Sequence, residues 1–282
     1  MFDNNNNTKH IGTDIKLSKH LDPLKEVEEY FRGQCNEYGI EVSYDCTAVE
    51  NPHFKTLNYT SFCGMFIAHP LQFELSFFQM YDAMMDGYKS IGHTDYIKAK
   101  HSKGKYTGTG KAFATPEKYN LVVMPGGNKF DTLNWAKLSN LSYEDIPLVL
   151  KPHPVSTYED LKQIKKRIPR AIIAPMLCEV YDLIDTAEKV YTTHVSETAL
   201  TSLLRGKKVE PVDVYPRCYV GSFSHVTHLL FTRDNPVELI GGVFASEKSG
   251  LIHPEVDSDW KVKVDGYLDY ILDKRRRHLG YL

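Results

Sequence analysis

The sequence lacks any run of 18 consecutive apolar residues, the length that a membrane-spanning helix needs, so no membrane span is expected. Its first ten residues, MFDNNNNTKH, lack the apolar segment of a secretory signal, and we expect a mobile asparagine-rich tail on a cytoplasmic protein. The five cysteines form no Cys-x-x-Cys pair, which argues against a disulfide framework and fits a reducing compartment. The net charge of −2 provides no global basic field for nucleic acid.

The 282 residues suit two modest domains, and an apolar content of 42% is that of an ordinary globular protein. In the first part of the chain, apolar spacing predicts a helix over 23–38 and strands over 40–44, 62–68 and 73–81. The lysine-rich stretch KAKHSKGKYTGTGK, residues 98–111, has no apolar period and is expected to be a loop.

Beyond residue 118 the pattern becomes regular, because short apolar strands alternate with helices. Such alternation is typical of βαβ units and of a parallel sheet that is buried on both faces. We therefore predict an α/β protein with two Rossmann-like domains that face a cleft. The predicted domains are an acceptor-side domain (1–118), a donor-binding domain (119–240) and a C-terminal helical segment that packs back on the first domain (241–282). The regular part is predicted to contain strands over 119–124, 147–150, 171–174, 189–192 and 209–212, and helices over 158–168, 177–187 and 196–205.

Polar residues follow two of these strands directly. Lys151 and His153, in the turn KPHP, follow strand 147–150, while His194 and Ser196 follow strand 189–192. In an open parallel sheet, ligands bind beyond the carboxyl ends of the strands. A helix N-terminus that is flanked by hydroxyl groups can bind an anion, and the lysine and histidine add hydrogen-bond donors. The pattern therefore indicates a phosphate site, although KPHP alone is also compatible with a stiff turn and Ser196 alone with an ordinary helix cap.

Residues 145–215 contain KPHP, then a βαβ interval, then a helix that begins with serine and runs into Leu203-Leu204-Arg205-Gly206-Lys207. In these features they resemble the donor half of GT-B glycosyltransferases. The resemblance is to the capsule-polysaccharide and bacterial sialyltransferase-like branch. When the two are matched at Gly206, Thr201 stands where that branch has glutamate and Lys208 where it has proline, which puts a ribose or sugar contact by that glutamate in doubt.

The resemblance implies a metal-independent glycosyltransferase that takes a nucleotide-sugar as co-substrate and needs no other cofactor. Phosphate charge would be met by donors from side chains and from a helix N-terminus. Gly126 and Gly127, in the turn PGGN, would allow close approach of the backbone to substrate, and Glu179 would lie near the nucleotide base. The phosphate-binding candidates are Lys151, His153, His194, Ser196, Glu197 and Thr198.

The resemblance also implies a general base from the N-terminal domain. In that branch a strand ends in an acidic pair followed by glycine, and Asp86-Gly87 is the nearest match, with His69 and His93 as further candidates. Asp86-Gly87 is equally compatible with a simple turn. No metal site is predicted: Asp257-Ser258-Asp259 lies in a polar segment, and two histidines at helical spacing, His225 and His228, are more often structural than zinc ligands.

The acceptor that the resemblance implies would be either an acidic glycan or a hydroxymethylated DNA base. The lysine-rich stretch 98–111 and the run KRRRH, residues 274–278, are the basic segments that such a polyanion would contact, although both also fit a solvated surface. Enzymes that glycosylate viral DNA bases also use a GT-B scaffold and act on a flipped base. Two other functions remain open on the same scaffold: a nucleotide-sugar epimerase or hydrolase, and a non-catalytic binder of nucleotides or polyanions.

Overall fold

The computed structural model describes residues 16–17, 24–44, 56–62, 65–89, 106–107, 113–215, 222–231, 233 and 236–279. None of the helices in these ranges is long and apolar enough to cross a membrane. The predicted loop 98–111 falls almost entirely outside the described residues.

Strands and helices alternate through most of the described chain. The strands are β1 (Lys16–Leu17), β2 (Glu41–Tyr44), β3 (Thr56–Phe62), β4 (Met65–Pro70), β5 (Tyr106–Thr107), β6 (Asn120–Val123), β7 (Leu148–Lys151), β8 (Ile172–Ile173), β9 (Lys189–Thr192), β10 (Val209–Pro211) and β11 (Leu251–Ile252). The helices are α1 (Lys25–Glu37), α2 (Phe73–Lys89), α3 (Trp135–Leu141), α4 (Tyr158–Arg167), α5 (Val180–Thr186), α6 (Glu197–Leu204), α7 (Ser222–Phe231), α8 (Pro236–Ala245) and α9 (Trp260–Leu279).

The chain divides into two compact units. Unit 1 comprises Met1–Leu17 and Tyr106–Cys218, and unit 2 comprises Ser18–Lys105 and Tyr219–Leu282. These bounds differ from the predicted domain boundaries, because residues 219–240 were assigned to the donor-binding domain and lie in unit 2.

Unit 1 contains a five-stranded parallel sheet with the order β10-β9-β6-β7-β8. In sequence order this is 5-4-1-2-3, the arrangement of doubly wound nucleotide-binding sheets. Strands β6 and β7 are buried along their whole length, as expected for a sheet covered on both faces. The strands and helices predicted for residues 119–212 are confirmed to within a few residues. The prediction succeeds here because each strand coincides with a short apolar run that turn residues interrupt.

Helix α4 shows how local sequence sets an element boundary in this unit. Thr157 accepts a hydrogen bond from the backbone of Asp160, and the Asp160 carboxylate accepts one from the backbone of Thr157. This capping box satisfies two N–H groups that the first helical turn would otherwise leave without partners. On the opposite side of the helix, Ile164 packs into a core formed by side chains of the sheet and of α3.

In unit 2, the described sheet is mixed rather than parallel. Its order is β11-β4-β3-β2, with one parallel pairing (β2–β3) and two antiparallel pairings. The prediction of a second Rossmann-like domain is therefore wrong for this sheet, because β3 and β4 are separated by only two residues and a parallel pair needs a long crossover. The core joins α1 to α9, with Phe31 and Tyr267 fully buried in it.

The prediction of a strand over residues 73–81 is also wrong, since this stretch begins helix α2. Its buried residues follow a helical period, with Leu75, Gln79, Ala83 and Gly87 on one face. The aromatic residues of FELSFFQMY favour a strand locally, and burial of the helical face outweighs that preference.

Candidate functional site

The order of the parallel sheet in unit 1 places the candidate site at the carboxyl ends of β6 and β9. Strands β7 and β8 lie on one side of β6, and β9 and β10 lie on the other side. The strand order therefore reverses between β6 and β9. Doubly wound sheets bind their ligands in the crevice at this point. Neighbouring strands lie about 4.8 Å apart, so the ends of β7 and β9 are about 10 Å apart across the end of β6.

Lys151, the last residue of β7, is buried and turned toward the backbone. Its Nζ donates to the carbonyl oxygens of Pro152 (2.9 Å) and Met176 (2.6 Å), which fastens the end of β7 to the segment after β8. Burial lowers the pKa of this amine to about 8, and the nearby Cys178 and Glu179 oppose that shift. Two of the three N–H groups of Lys151 thus donate to backbone carbonyls. The predicted direct contact with phosphate would use the third N–H.

His153 lies half-buried in the turn that follows. Its Nδ1 accepts the backbone N–H of Val155 over 3.3 Å, and its carbonyl accepts the N–H of Ser156 over 2.9 Å. A nitrogen that accepts a hydrogen bond carries no proton, so the neutral ring holds its proton on Nε2. The KPHP turn therefore presents His153 as a hydrogen-bond donor.

The two glycines after β6 have different surroundings. A Cβ on Gly126 would lie 3.0 Å from Oδ1 of Asn128 and 4.0 Å from Nδ1 of His153, so Gly126 lies beside both side chains. A Cβ on Gly127 would overlap the carboxylate of Asp160, at 2.6 Å from Cγ. Packing against the α4 capping box thus accounts for glycine at 127, and Gly126 is the candidate for close approach of a ligand.

At the end of β9, hydroxyl groups gather at the start of α6. Ser196 takes the N-cap position, but its hydroxyl makes no capping hydrogen bond and lies 2.7 Å from Oγ1 of Thr198, which in turn lies 3.2 Å from Oγ1 of Thr192. The expected side-chain cap is therefore absent at this helix. Glu197 is the first helical residue and is half-buried.

Thr193 stands out in this group because its hydroxyl is fully buried. Among the described residues, its Oγ1 has no hydrogen-bond partner. A buried hydroxyl without a partner costs about 1–3 kcal/mol of stability. Thr193 directly follows β9 and lies four residues before Glu197, the first residue of α6, so this cost falls at the carboxyl edge of the sheet.

His194 forms a buried pair with Asp213, a residue that the sequence analysis missed. Nδ1 of His194 lies 2.7 Å from Oδ1 of Asp213, and the backbone N–H of His194 donates to Oδ2 over 3.0 Å. Asp213 follows β10, the neighbour of β9, so its position after a predicted strand was the available signal. The sequence spacing of 19 residues gave no sign of the contact.

Glu179 occupies the N-cap of α5 and is exposed. Its carboxylate accepts the N–H of Tyr181 over 3.4 Å. Helix α5 follows β8, which lies two strands away from β6. The predicted contact of Glu179 with a nucleotide base stays a prediction.

The candidate bases belong to unit 2. Asp86 lies within helix α2 rather than after a strand, and its carboxylate accepts hydrogen bonds from Ser246 (3.1 Å) and Lys248 (3.2 Å). His69 is buried in β4, where Nδ1 lies 3.0 Å from the carbonyl of Pro70 and Nε2 lies 2.9 Å from the Asn58 amide. His93 lies outside the described residues.

Within the described ranges, no group of three histidine, cysteine, aspartate or glutamate side chains could hold a metal ion. His225 lies in the interior of unit 2, where burial first, and then His69 and His228, lower its pKa to about 3. It is therefore neutral near pH 7.

A cavity of about 510 Å³ lies away from the candidate site, and its lining includes Lys137 and Lys189. Lys189 is the first residue of β9, at the end opposite to Thr193. Both lysines pair with Glu210, and Glu144 also lines the cavity, so two cations face two carboxylates there.

No protein-family model matches the chain, and no curated protein has a significantly similar sequence.

Proposed function

We propose that the protein is a glycosyltransferase that moves a sugar from a nucleotide-activated donor to a hydroxyl acceptor, with the donor phosphate bound at the carboxyl edge of the unit 1 sheet. The observation that carries the proposal is the buried hydroxyl of Thr193, which has no partner in the described part of the chain and lies beside the N-terminus of α6. A ligand oxygen that accepts from this hydroxyl would remove its desolvation cost.

The residues around Thr193 have the chemistry that a phosphate requires. The N-terminus of α6 contributes the positive end of the helix dipole, which favours an anion. Across the end of β6 lies His153, whose neutral ring has its proton on Nε2. Gly126 follows β6, which lies between β7 and β9, and has no side chain of its own at this edge. This set supports metal-independent stabilisation of a leaving phosphate by hydrogen bonds.

For the acceptor, two cations of the run Lys274–Arg277 lie at the surface. Arg276 and Arg277 are exposed, and Arg277 pairs with Asp273. Lys274 pairs with Asp82, and Arg275 is buried and donates to the Thr56 carbonyl over 2.9 Å. An acidic glycan and DNA would both use exposed cations, so both acceptors stay in the proposal.

Calorimetry with UDP, CMP, GDP and their sugars tests the proposal. We expect one nucleotide to bind, and Thr193→Val to weaken that binding about tenfold, because valine keeps the shape and removes the donor. Ser202→Ala is the matched control, since Ser202 also has a buried hydroxyl without a described partner but lies inside α6. Absence of binding by every nucleotide, or equal weakening in both variants, would contradict the proposal.

A second candidate is a nucleotide-binding protein without transferase activity. It is favoured by the two hydrogen bonds that occupy Asp86, the expected general base. Release of sugar from the bound donor, measured with and without oligosaccharide or hydroxymethylated duplex DNA, separates the two functions.

A further inference from the structure

The end of α4 and the segment after it carry a concentrated positive charge in unit 1. Between Asp160 and Glu179 the sequence contains five cations and no acidic residue. All five cations are exposed: Lys162, Lys165, Lys166, Arg167 and Arg170. This charge is a local feature, because the chain as a whole has a net charge of −2.

Most of these cations are not neutralised by a carboxylate. Lys162 pairs with Glu159, and Nζ of Lys165 donates to the carbonyl oxygen of Pro169 over 3.0 Å. In the part of the chain that the structure describes, no carboxylate lies within ion-pair distance of the other three, Lys166, Arg167 and Arg170. Exposed cations in this state attract an anionic partner.

Two aromatic rings lie against the two guanidinium groups. Cζ of Arg167 lies 4.4 Å from the centre of the Trp135 ring, and Cζ of Arg170 lies 4.3 Å from the centre of the Tyr143 ring. A guanidinium over a ring is restrained, while the N–H groups in its own plane still point outward. The two arginines are therefore preorganised for bidentate contact with a phosphate.

Stabilisation of the helix explains only part of this cluster. Cations in the last helical turn interact favourably with the helix dipole, and Lys165, Lys166 and Arg167 lie in that turn. The dipole effect falls off within this turn, and Arg170 lies three residues beyond the end of α4. The position of Arg170 against Tyr143 thus needs another explanation.

The cluster lies at the edge of the sheet opposite to the candidate site. Helix α4 connects β7 to β8, and these two strands are parallel, so the helix runs back and ends beside the amino end of β8. The donor phosphate is proposed to bind at the carboxyl edge. A ligand of the cluster is therefore a separate partner of unit 1.

The spacing of the charges favours a nucleic acid as that partner. Positions 162–167 span about 8 Å along α4 and contain four cations. One strand of DNA carries a phosphate about every 3.4 Å along the helix axis, so two or three phosphates fit over this distance. An acidic glycan has its carboxylates further apart, because a whole sugar ring carries each of them.

We propose that the α4 basic surface, formed by Lys165, Lys166, Arg167 and Arg170, binds the phosphate backbone of a nucleic acid. The inference goes beyond the proposed function and does not depend on sugar transfer. Phosphate contacts hold a nucleic acid without reading its sequence, so the binding is expected to be independent of sequence and sensitive to salt.

Fluorescence anisotropy of the full chain with a labelled single strand of DNA, about 20 nucleotides long, tests the inference between about 50 and about 200 mM salt. We expect the double variant Arg167→Gln, Arg170→Gln to bind about tenfold more weakly at the lower salt concentration. Its slope of log K against log salt concentration should be smaller by about 1.4, because each phosphate contact with a single strand contributes about 0.7.

The matched control is the double variant Arg205→Gln, Lys208→Gln. It removes the same two charges beside β10, the strand at the other edge of the sheet. Arg205 also lies over an aromatic ring, Tyr181, but it pairs with Asp185. This control should change the affinity less than about twofold. Equal weakening in the two double variants, or no binding of DNA by the wild type, would overturn the inference.

A second variant separates loss of contacts from loss of folding. Arg167→Lys, Arg170→Lys keeps both charges and the interaction with the helix dipole, but lysine makes no bidentate contact. We expect it to keep the salt dependence of the wild type and to bind about threefold more weakly. A salt slope as small as that of the glutamine variant would contradict the inference, because both charges are still present.

Two further ligands define the partner. Hyaluronate, a carboxylate polymer, should compete weakly with the labelled DNA, and competition equal to that of unlabelled DNA per charge would overturn the assignment to nucleic acid. The glutamine variant should bind UDP, CMP or GDP as the wild type does, because the donor site lies at the opposite edge. A wild type that binds DNA through these arginines and binds none of the nucleotides would support this inference and contradict the proposed function.

Discussion

Gly127 lies directly against the carboxylate of Asp160, the residue that completes the capping box of α4. A Cβ added to Gly127 would be 2.6 Å from Cγ of Asp160, closer than real contacts allow. Asp160 is also held by its hydrogen bonds with Thr157, so it has little freedom to move away. The loop after β6 and the start of α4 can therefore pack closely because Gly127 has no side chain.

We expect Gly127→Ala to lower the free energy of unfolding by about 2 kcal/mol, because the methyl group displaces the capping carboxylate. Urea denaturation measures the loss. The double variant Gly127→Ala, Asp160→Ala should lose less than the sum of the two single variants, since the second change removes the clash that the first creates. Additive losses would contradict this explanation.

Lys151 is expected to make stability depend on pH. Burial lowers its pKa to about 8 in the folded protein, whereas an unfolded lysine has an ordinary pKa near 10.4. Between these values the unfolded state binds more protons, so the stability of the wild type rises with pH in this window.

The matched variant is Lys151→Met, which keeps the length of the side chain and does not titrate. Between about pH 7 and about pH 9.5, the wild type should gain about 2 kcal/mol relative to this variant. Denaturation curves at both pH values give the difference. Parallel pH dependence of the two proteins would mean that Lys151 is not buried as described.

Asp86→Asn is expected to lower stability by about 1 kcal/mol or less, because it weakens a partly exposed pair with Lys248. Turnover of a bound donor should fall less than about tenfold, since the carboxylate serves Ser246 and Lys248. Loss of all transfer with unchanged donor binding and stability would instead identify Asp86 as the general base.

Gly87→Ala is expected to cost about 3 kcal/mol of stability. A Cβ at Gly87 would lie 2.8 Å from the backbone nitrogen of Val243 and 3.1 Å from the carbonyl carbon of Gly242, so α2 and α8 could not approach as closely. Thermal and urea denaturation measure the effect. Gly33→Ala is the control, because Gly33 lies in α1 with nothing within 4 Å, and this change should be neutral or stabilising.

The contrast between residues 73–81 and 119–212 explains which elements the sequence predicted well. In unit 1, each strand is a short apolar run with a turn after it, and burial on both faces agrees with local preference. In α2, the aromatic run around Phe77 and Phe78 favours a strand locally. Its pairing with β4 and α8 is a long-range property, and no local pattern contains it.

By itself, the sequence determined that residues 119–212 form βαβ units and that Lys151, His153, His194 and Ser196 follow strand ends. These are local facts, since they depend on apolar runs and on the residues that interrupt them. Only the tertiary structure decided the strand order that brings β9 beside β6, the inward direction of Lys151, and the pairing of His194 with Asp213. Such contacts depend on which strands become neighbours, and that choice is made by burial of the whole sheet rather than by any single stretch of chain.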